Sequence, residues 1–301
     1  MRVIVHGGAG TDPDEPEPRR AVLDEAAAAG ADESSVVDAV EAAVHVLESS
    51  PRFNAGVGGA VQSDGAIRTD AGLMTSDRAA GAACSMPGVE HAVSAARVVM
   101  EETPHVLVSG DRAVELAADF GFETGVDLWS AQTREKWADL DARPDGTPSD
   151  HLEWIRAKFG GDPESAADEG DAARDPKDHD TVGAVAFDGA RFAAATSTGG
   201  RWLALAGRVG DVPQIGSGFY AAPAGAASAT GAGEDIAKAT LTRRAVRHLE
   251  SGFDAQRAAD RAIEEFAELT GSSAGVILLD RDGNAGSAFN SDAMQTAVAN
   301  D

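Results

Sequence analysis

Cysteine is almost absent: Cys84 is the only one in 301 residues. No intrachain disulfide can form and no thiolate metal cluster can assemble. Its surroundings, AAGAACSM, suit a buried core thiol better than a nucleophile. Basic residues are scarce too, 25 against 50 acidic, with Lys136, Lys158, Lys177 and Lys238 the only lysines. Nucleic acid is excluded as a partner, because binding it needs a basic footprint. The formal net charge of -25 reads as a surface adapted to high salt, where counterions screen self-repulsion. An ordinary solvated acidic face is the alternative. Aromatics are only 5%, so the core must rest on closely packed Ala, Val, Leu and Gly. HExxH, GK[ST] and clustered His or Cys sets are missing, so no metal held by side chains is expected. At the N-terminus Val3-Ile4-Val5 is too short for a signal-peptide core or a membrane span, and a soluble cytoplasmic protein is expected.

The hydrophobic content of 43% is ample for a full core, and the one visible boundary is acidic. Residues 160–180, GGDPESAADEGDAARDPKDHD, hold no aromatic and no large aliphatic residue. They cannot bury enough surface to offset ordering entropy and read as a flexible linker. TVGAVAF follows at once, an apolar run of strand length without polar alternation, as expected of a strand covered on both faces. Asp188-Gly189 then signals a hairpin into ARFAAATST. A two-residue turn there pairs Phe187 with Ala190 and sets Thr181 opposite Thr196, with Thr198 one diagonal step away.

Three hydroxyls thus gather where the chain leaves the linker. A threonine nucleophile needs a base, and its own free α-amine is one. Cutting Asp180-Thr181 would create that amine, which titrates near ~7.7–8.0 and is partly neutral at pH 7. A lone threonine here would otherwise be an ordinary β-branched strand residue.

Elsewhere the pattern predicts a strand over 1–6 running into the glycine loop HGGAG, where His6 is a site residue or a satisfied core histidine. Helices are expected over 21–29, from a Ser35/Asp38 capping box to Leu47, over 90–101, 112–120, 134–142 and 151–159, then 234–249 and 255–269. Short strands are expected around 60–62, 66–74, 79–86 and 106–108, and over 274–279 and 285–289 at the end. Strands and helices come in blocks with hairpins, an α+β pattern.

In GRVGD, Arg208 can grip a carboxylate with two hydrogen bonds and Asp211 can accept from an ammonium, a pair suited to an amino acid's backbone groups. The alternative is that the two pair with each other. Thr230-Gly231-Ala232-Gly233 leads into a helix, where N–H groups favour negative charge, so the Gly231 N–H and the Thr230 hydroxyl form a candidate oxyanion hole. Gly271-Ser272-Ser273-Ala274-Gly275 spells GxSxG, but between a helix and a strand rather than on a strand-to-helix elbow. Asn54 sits in the loop PRFNAGVGG, where asparagine is commonly turn chemistry.

HGGAG at 6–10, FNAG at 53–56, AARVVMEETPHVLVSG at 95–110, DTVGAVAFDG at 180–189, ATSTGG at 195–200, GRVGD at 207–211 and TGAGE at 230–234 together resemble the plant-type L-asparaginase/isoaspartyl peptidase family, threonine hydrolases of the N-terminal nucleophile class. The match runs in order over nearly the whole chain. The resemblance implies a four-layer αββα sandwich, a single domain over 1–301, cut before Thr181 into an α chain 1–180 and a β chain 181–301, assembled as a dimer of such pairs. It implies Thr181 as nucleophile and base with Thr198 as its hydrogen-bonding neighbour. Arg208 and Asp211 would hold substrate backbone groups, Thr230 and Gly231 the oxyanion; Gly233 would line the site and Asn54 support the substrate amide. No organic cofactor is implied, but a structural sodium on the backbone of the 47–57 loop is. Three features depart from the family pattern: His179-Asp180 before the nucleophile resembles glycosylasparaginases, RWLALA at 201–206 lacks the usual polar residues, and Ala232 replaces a common Thr or His.

The expected reaction is hydrolysis of the β-aspartyl amide of L-asparagine or an isoaspartyl peptide. A glycosylasparaginase is the nearest alternative, with ATSTGG favouring the asparaginase. A serine hydrolase using Ser273 and a non-catalytic glycine-loop binding module are the remote ones.

Overall fold

The computed structural model describes residues 1–13, 15–140, 142–159 and 181–300. The acidic stretch at 160–180, and Asp180 and His179 with it, lies outside the described residues.

Strands β1 (Arg2–Gly10), β2 (Arg68–Thr75), β3 (Ala80–Pro87), β4 (Leu107–Ser109), β5 (Val182–Phe187), β6 (Phe192–Thr198) and β11 (Ala293–Asn300) form one sheet in the order β11-β1-β5-β6-β2-β3-β4. Strands β7 (Phe219–Ala222), β8 (Gly225–Gly231), β9 (Ala274–Asp280) and β10 (Ala285–Phe289) form a second, in the order β10-β9-β8-β7. Pairings are antiparallel except β3 with β4, which is parallel. The helices are α1 (Pro16–Ala31), α2 (Val36–Glu48), α3 (Ala92–Glu102), α4 (Asp111–Asp119), α5 (Ala131–Ala138), α6 (Pro148–Phe159), α7 (Gly233–Ala239), α8 (Leu241–Glu250) and α9 (Ala255–Thr270). The fold is mixed α/β.

Period-two alternation along the central strands sorts their side chains onto two faces. Val182, Ala184 and Ala186 of β5 and Ala193 and Ala195 of β6 meet Leu23 of α1 and Val40, Val44 and Leu47 of α2. Val185, Phe192 and Ala194 point the other way, against Phe219, Ala226, Ile277 and Leu279 of the second sheet. Beyond that sheet Ala227, Ala229, Val276 and Leu278 pack on Val246 and Leu249 of α8 and Ile263 and Phe266 of α9. β5 is therefore apolar without alternation because both of its faces are covered.

Small residues let the sheets approach. A Cβ on Gly72 would overlap the Phe219 ring, and one on Gly183 would overlap Ser228 Oγ and come within 2.5 Å of His6 Nε2. Gly183→Ala is expected to cost roughly 1–3 kcal/mol, the usual penalty of overpacking. Urea unfolding should show a lower midpoint with unchanged slope.

Several expectations need correction. Helix α1 begins at Pro16, whose missing N–H costs nothing in the first turn, rather than at residue 21. The helix expected over 234–249 is two helices, broken at Thr240 by φ +52°. Strands β7 and β8 form from the Gly/Ala-rich run before it, and β11 ends the described chain on the edge beside β1. The hairpin register also differs. Asp188 Oδ1 accepts from the N–H groups of Ala190 and Arg191 at 2.9 and 2.7 Å, so the loop spans Asp188 to Arg191 and Phe187 pairs with Phe192. Gly183, not Thr181, lies opposite Thr196, and continuing the register sets Thr181 across from Thr198.

Candidate active site

Thr181 immediately precedes β5 and is 8% exposed; its hydroxyl donates to Thr198 Oγ1 at 3.2 Å. Thr198 ends β6, where its oxygen accepts from Gly200 N–H at 3.1 Å and its hydroxyl lies 3.4 Å from the Asn54 carbonyl. The corrected register therefore makes these two threonines direct cross-strand neighbours.

Asn54 fixes the loop around them. Its Nδ2 donates to the Gly200 carbonyl at 2.6 Å, its Oδ1 accepts from Ala60 N–H at 2.8 Å, and its carbonyl accepts from Gly199 N–H at 2.8 Å. Further along the same loop Gln62, 1% exposed, receives Gly207 N–H at 2.8 Å and donates to the Arg208 carbonyl at 3.2 Å. One short segment thus positions both the threonine pair and the arginine. Gln62 was not singled out from the sequence; nothing distinguishes it there from any loop glutamine.

Arg208 does not pair with Asp211. Its Nε and Nη2 form a fork onto both oxygens of Glu234, each at 2.8 Å. Burial opposes the Glu234 charge, but the fork and field of Arg208 outweigh it and hold that carboxyl down at about 2. Asp211 is 6% exposed, and its Oδ2 has no hydrogen-bond partner. Burial pushes its carboxyl up to about 7, against the pull of Arg208. A Cβ on Gly233 would lie 2.8 Å from both Arg208 Nη2 and Asp211 Oδ1, so glycine leaves this corner open to a ligand. Such an orphaned acceptor is where a substrate ammonium would find a partner.

Thr230 and Gly231 end β8, paired with Gly275 and Ala274 of β9, and Ala232 caps α7. Thr230 is fully buried. The candidate oxyanion-hole residues are therefore held by a sheet rather than by a loop before a long helix. Two residues back on the same face of β8, Ser228 Oγ contacts Thr196 Oγ1 at 2.7 Å and His6 Nε2 at 2.9 Å, tying the sheets together behind the threonine pair. Burial pushes His6 down to about 3, with the Thr181 backbone acting the other way, so the ring is a neutral core histidine.

Asp70 was also missed, though a charge inside the apolar strand AIRTDAGLM is a legible signal. It pairs with Thr198 across β2 and β6 and accepts from Ser85 N–H at 2.6 Å. Burial pushes it up to about 7, with Arg208 pulling down. Ser273 is exposed between Gly271, the left-handed cap of α9, and β9, with no nucleophile elbow around it. Cys84 is buried and pushed up to about 12, unsuited to attack.

A paired buried hydroxyl, an arginine and a carboxylate oxygen without a hydrogen-bond partner, the last two beside Gly233, are a candidate donor and acceptor set for hydrolysis. The family model described as asparaginase matches residues 1–301. The plant-type L-asparaginase of Pyrococcus abyssi is 39% identical over 304 residues, covering 99% of this chain and 95% of that protein. That of Pyrobaculum calidifontis is 38% identical, covering 97% and 94%. The isoaspartyl peptidase/L-asparaginase of Rattus norvegicus is 36% identical over 293 residues, covering 94% and 81%. The chain belongs to the asparaginase family. Among the described residues no helix is long and apolar enough to cross a membrane.

Proposed function

We propose that this enzyme hydrolyses the β-aspartyl amide of L-asparagine and of isoaspartyl dipeptides, releasing L-aspartate, after cleavage of its own Asp180-Thr181 bond. The observation that carries this reading is the Thr181–Thr198 hydroxyl pair at the head of a doubly covered strand. The names of the relatives support the substrate class.

Cleavage frees the Thr181 α-amine, which takes the hydroxyl proton as Oγ1 attacks the side-chain carbonyl. Arg208 receives the substrate α-carboxylate and Asp211 its ammonium, which fixes the β-carbonyl over the nucleophile. The Thr230 hydroxyl and Gly231 N–H hold the oxyanion. Ammonia or a peptide amine departs with the proton; water then adds to the ester and frees aspartate. Asn54, its amide engaged by Gly200 and Ala60, supports the site through those loops.

The packing of the three cores supports a four-layer αββα arrangement of the N-terminal nucleophile class. A dimer of αβ pairs, a cytoplasmic setting and a high-salt habitat, the last from the charge of -25, complete the reading. A sodium ion on the 47–57 backbone is compatible with the carbonyls gathered there: a Cβ on Gly56 would crowd those of Glu48 and Glu90, which also accept from Val57 and Ala92 N–H, and one on Gly58 those of Pro51 and Phe53. The ion's part is structural.

Rates of aspartate release from L-asparagine, a β-aspartyl dipeptide and N-acetylglucosaminyl-asparagine test the reading. Faster turnover of the third would favour the glycosylasparaginase, which Asp180 before the nucleophile favours; turnover of none would overturn both. The pH profile adds a second check. Asp211 must lose its proton, near about 7, to balance an ammonium. The α-amine, near ~7.7–8.0, must lose its own to act as base. Both requirements run the same way, so log kcat/KM is expected to rise with pH with a slope approaching two below neutrality, falling to one in Asp211→Asn.

A further inference from the structure

Where α2 ends and α3 begins, two histidines and a glutamate face one another. His45 and Glu48 stand three residues apart, on one face of α2, and His91 caps α3. One ligand atom from each lies within 4.8 Å of the others. The His45 and His91 rings lie tilted by 38° with centroids 4.2 Å apart, and His91 Nδ1 lies 3.5 Å from Glu48 Oε2.

The glutamate is the telling member. Its side chain is fully buried, and Oε1 is satisfied by Ser197 Oγ at 2.6 Å and Val93 N–H at 3.1 Å. Oε2, aimed at His91, has no hydrogen-bond partner, and neither has His91 Nδ1. The two atoms face each other at 3.5 Å as a loose ion pair, without a well-formed hydrogen bond, and a buried carboxylate oxygen so weakly engaged is costly unless something binds it more closely. His45 is oriented from behind: Ser94 donates to Glu41 at 2.6 Å and so accepts from His45 Nε2–H at 2.6 Å, leaving Nδ1 of the neutral ring bare.

We propose that His45, Glu48 and His91 form a site for a divalent transition metal of the zinc class. Two imidazoles and a carboxylate are a His₂Glu donor set, which suits zinc and leaves a fourth position for water. Tetrahedral bonds of ~2.1 Å place donors roughly 3.4 Å apart, a spacing His91 and Glu48 already meet. Burial lowers the pKa of His45 and favours the neutral, ligating ring, whereas the Glu48 side chain raises that of His91, whose proton an ion must displace. His91, 36% exposed, gives the ion its entry. The metal would join two helices and neutralise the carboxylate that holds Ser197, the residue between Thr196 and Thr198. This departs from the expectation of no side-chain metal and stands independently of the proposed reaction.

Tag-free protein, stripped with chelator, is titrated with Zn²⁺ by calorimetry and with Co²⁺ by visible absorption. One ion per chain is expected, with the intense d–d bands of low-coordinate cobalt and a melting temperature raised by several degrees. His45→Ala and His91→Ala should each weaken binding by more than about 100-fold, the upper end of what losing an outer partner costs, while circular dichroism stays unchanged. Absence of uptake, or uptake unaltered in both variants, overturns the proposal; the second result would assign the ion elsewhere, as to the carbonyls of the 47–57 loop. Binding is read whether or not Asp180-Thr181 is cut, so failure here leaves the hydrolase reading intact, and the reverse holds too.

Discussion

Thr181→Val is expected to leave a single uncut polypeptide and to lower turnover of L-asparagine by at least about 10⁴-fold, since the nucleophile and its base vanish together. Valine fills the same space beneath 8% exposure, and Thr198 keeps its contact with Gly200 N–H, so the fold should survive. A denaturing gel, N-terminal sequencing of the smaller fragment and an ammonia-release assay read the result. Full activity in the variant, or an uncut wild-type chain that turns over normally, would sink the mechanism. Thr198→Val should act more mildly, lowering kcat while Thr181 still attacks.

The second large effect is expected at Arg208. Removing one partner of a desolvated, hydrogen-bonded charge pair, here the proposed pair of Arg208 with the substrate carboxylate, costs about 2–5 kcal/mol, so Arg208→Met should lower kcat/KM by roughly 30- to 5,000-fold. Arg208→Lys should recover little, because an ammonium keeps the charge but cannot form the fork. Glu234 now occupies Nε and Nη2, so the substrate carboxylate must use the remaining edge or displace that partner. If both variants keep wild-type KM and kcat, Arg208 is a structural partner of Glu234 and the substrate binds elsewhere.

How much of this was legible in the sequence depended on range. Local signals held: the Ser35 cap accepts from Asp38 N–H at 3.1 Å and opens α2, and TVGAVAF is a strand covered on both sides. The threonine pair was placed on the right strand end but in the wrong register, because the Asp188 side chain stretches the turn to four residues. Arg208 and Asp211 were found by chemistry, yet Glu234 was read as a helix residue, since nothing local says that a loop 26 residues upstream folds onto it. Gln62 escaped for the same reason, whereas Asp70 was overlooked despite its charge within a predicted strand. Strand β8 was hidden by its composition, GAASATG, whose β character comes from pairing with β9 rather than from propensity.

The strand order carries one more consequence. If the backbone opens ahead of Thr181, β11, β5 and β6 belong to one fragment and β1, β2, β3 and β4 to the other, and β1 lies threaded between β11 and β5. Neither piece then owns the whole seven-stranded sheet, although the four-stranded one lies entirely in the later fragment. The two are interwoven by main-chain ladders, and the cut enzyme should melt as one cooperative body instead of coming apart into halves.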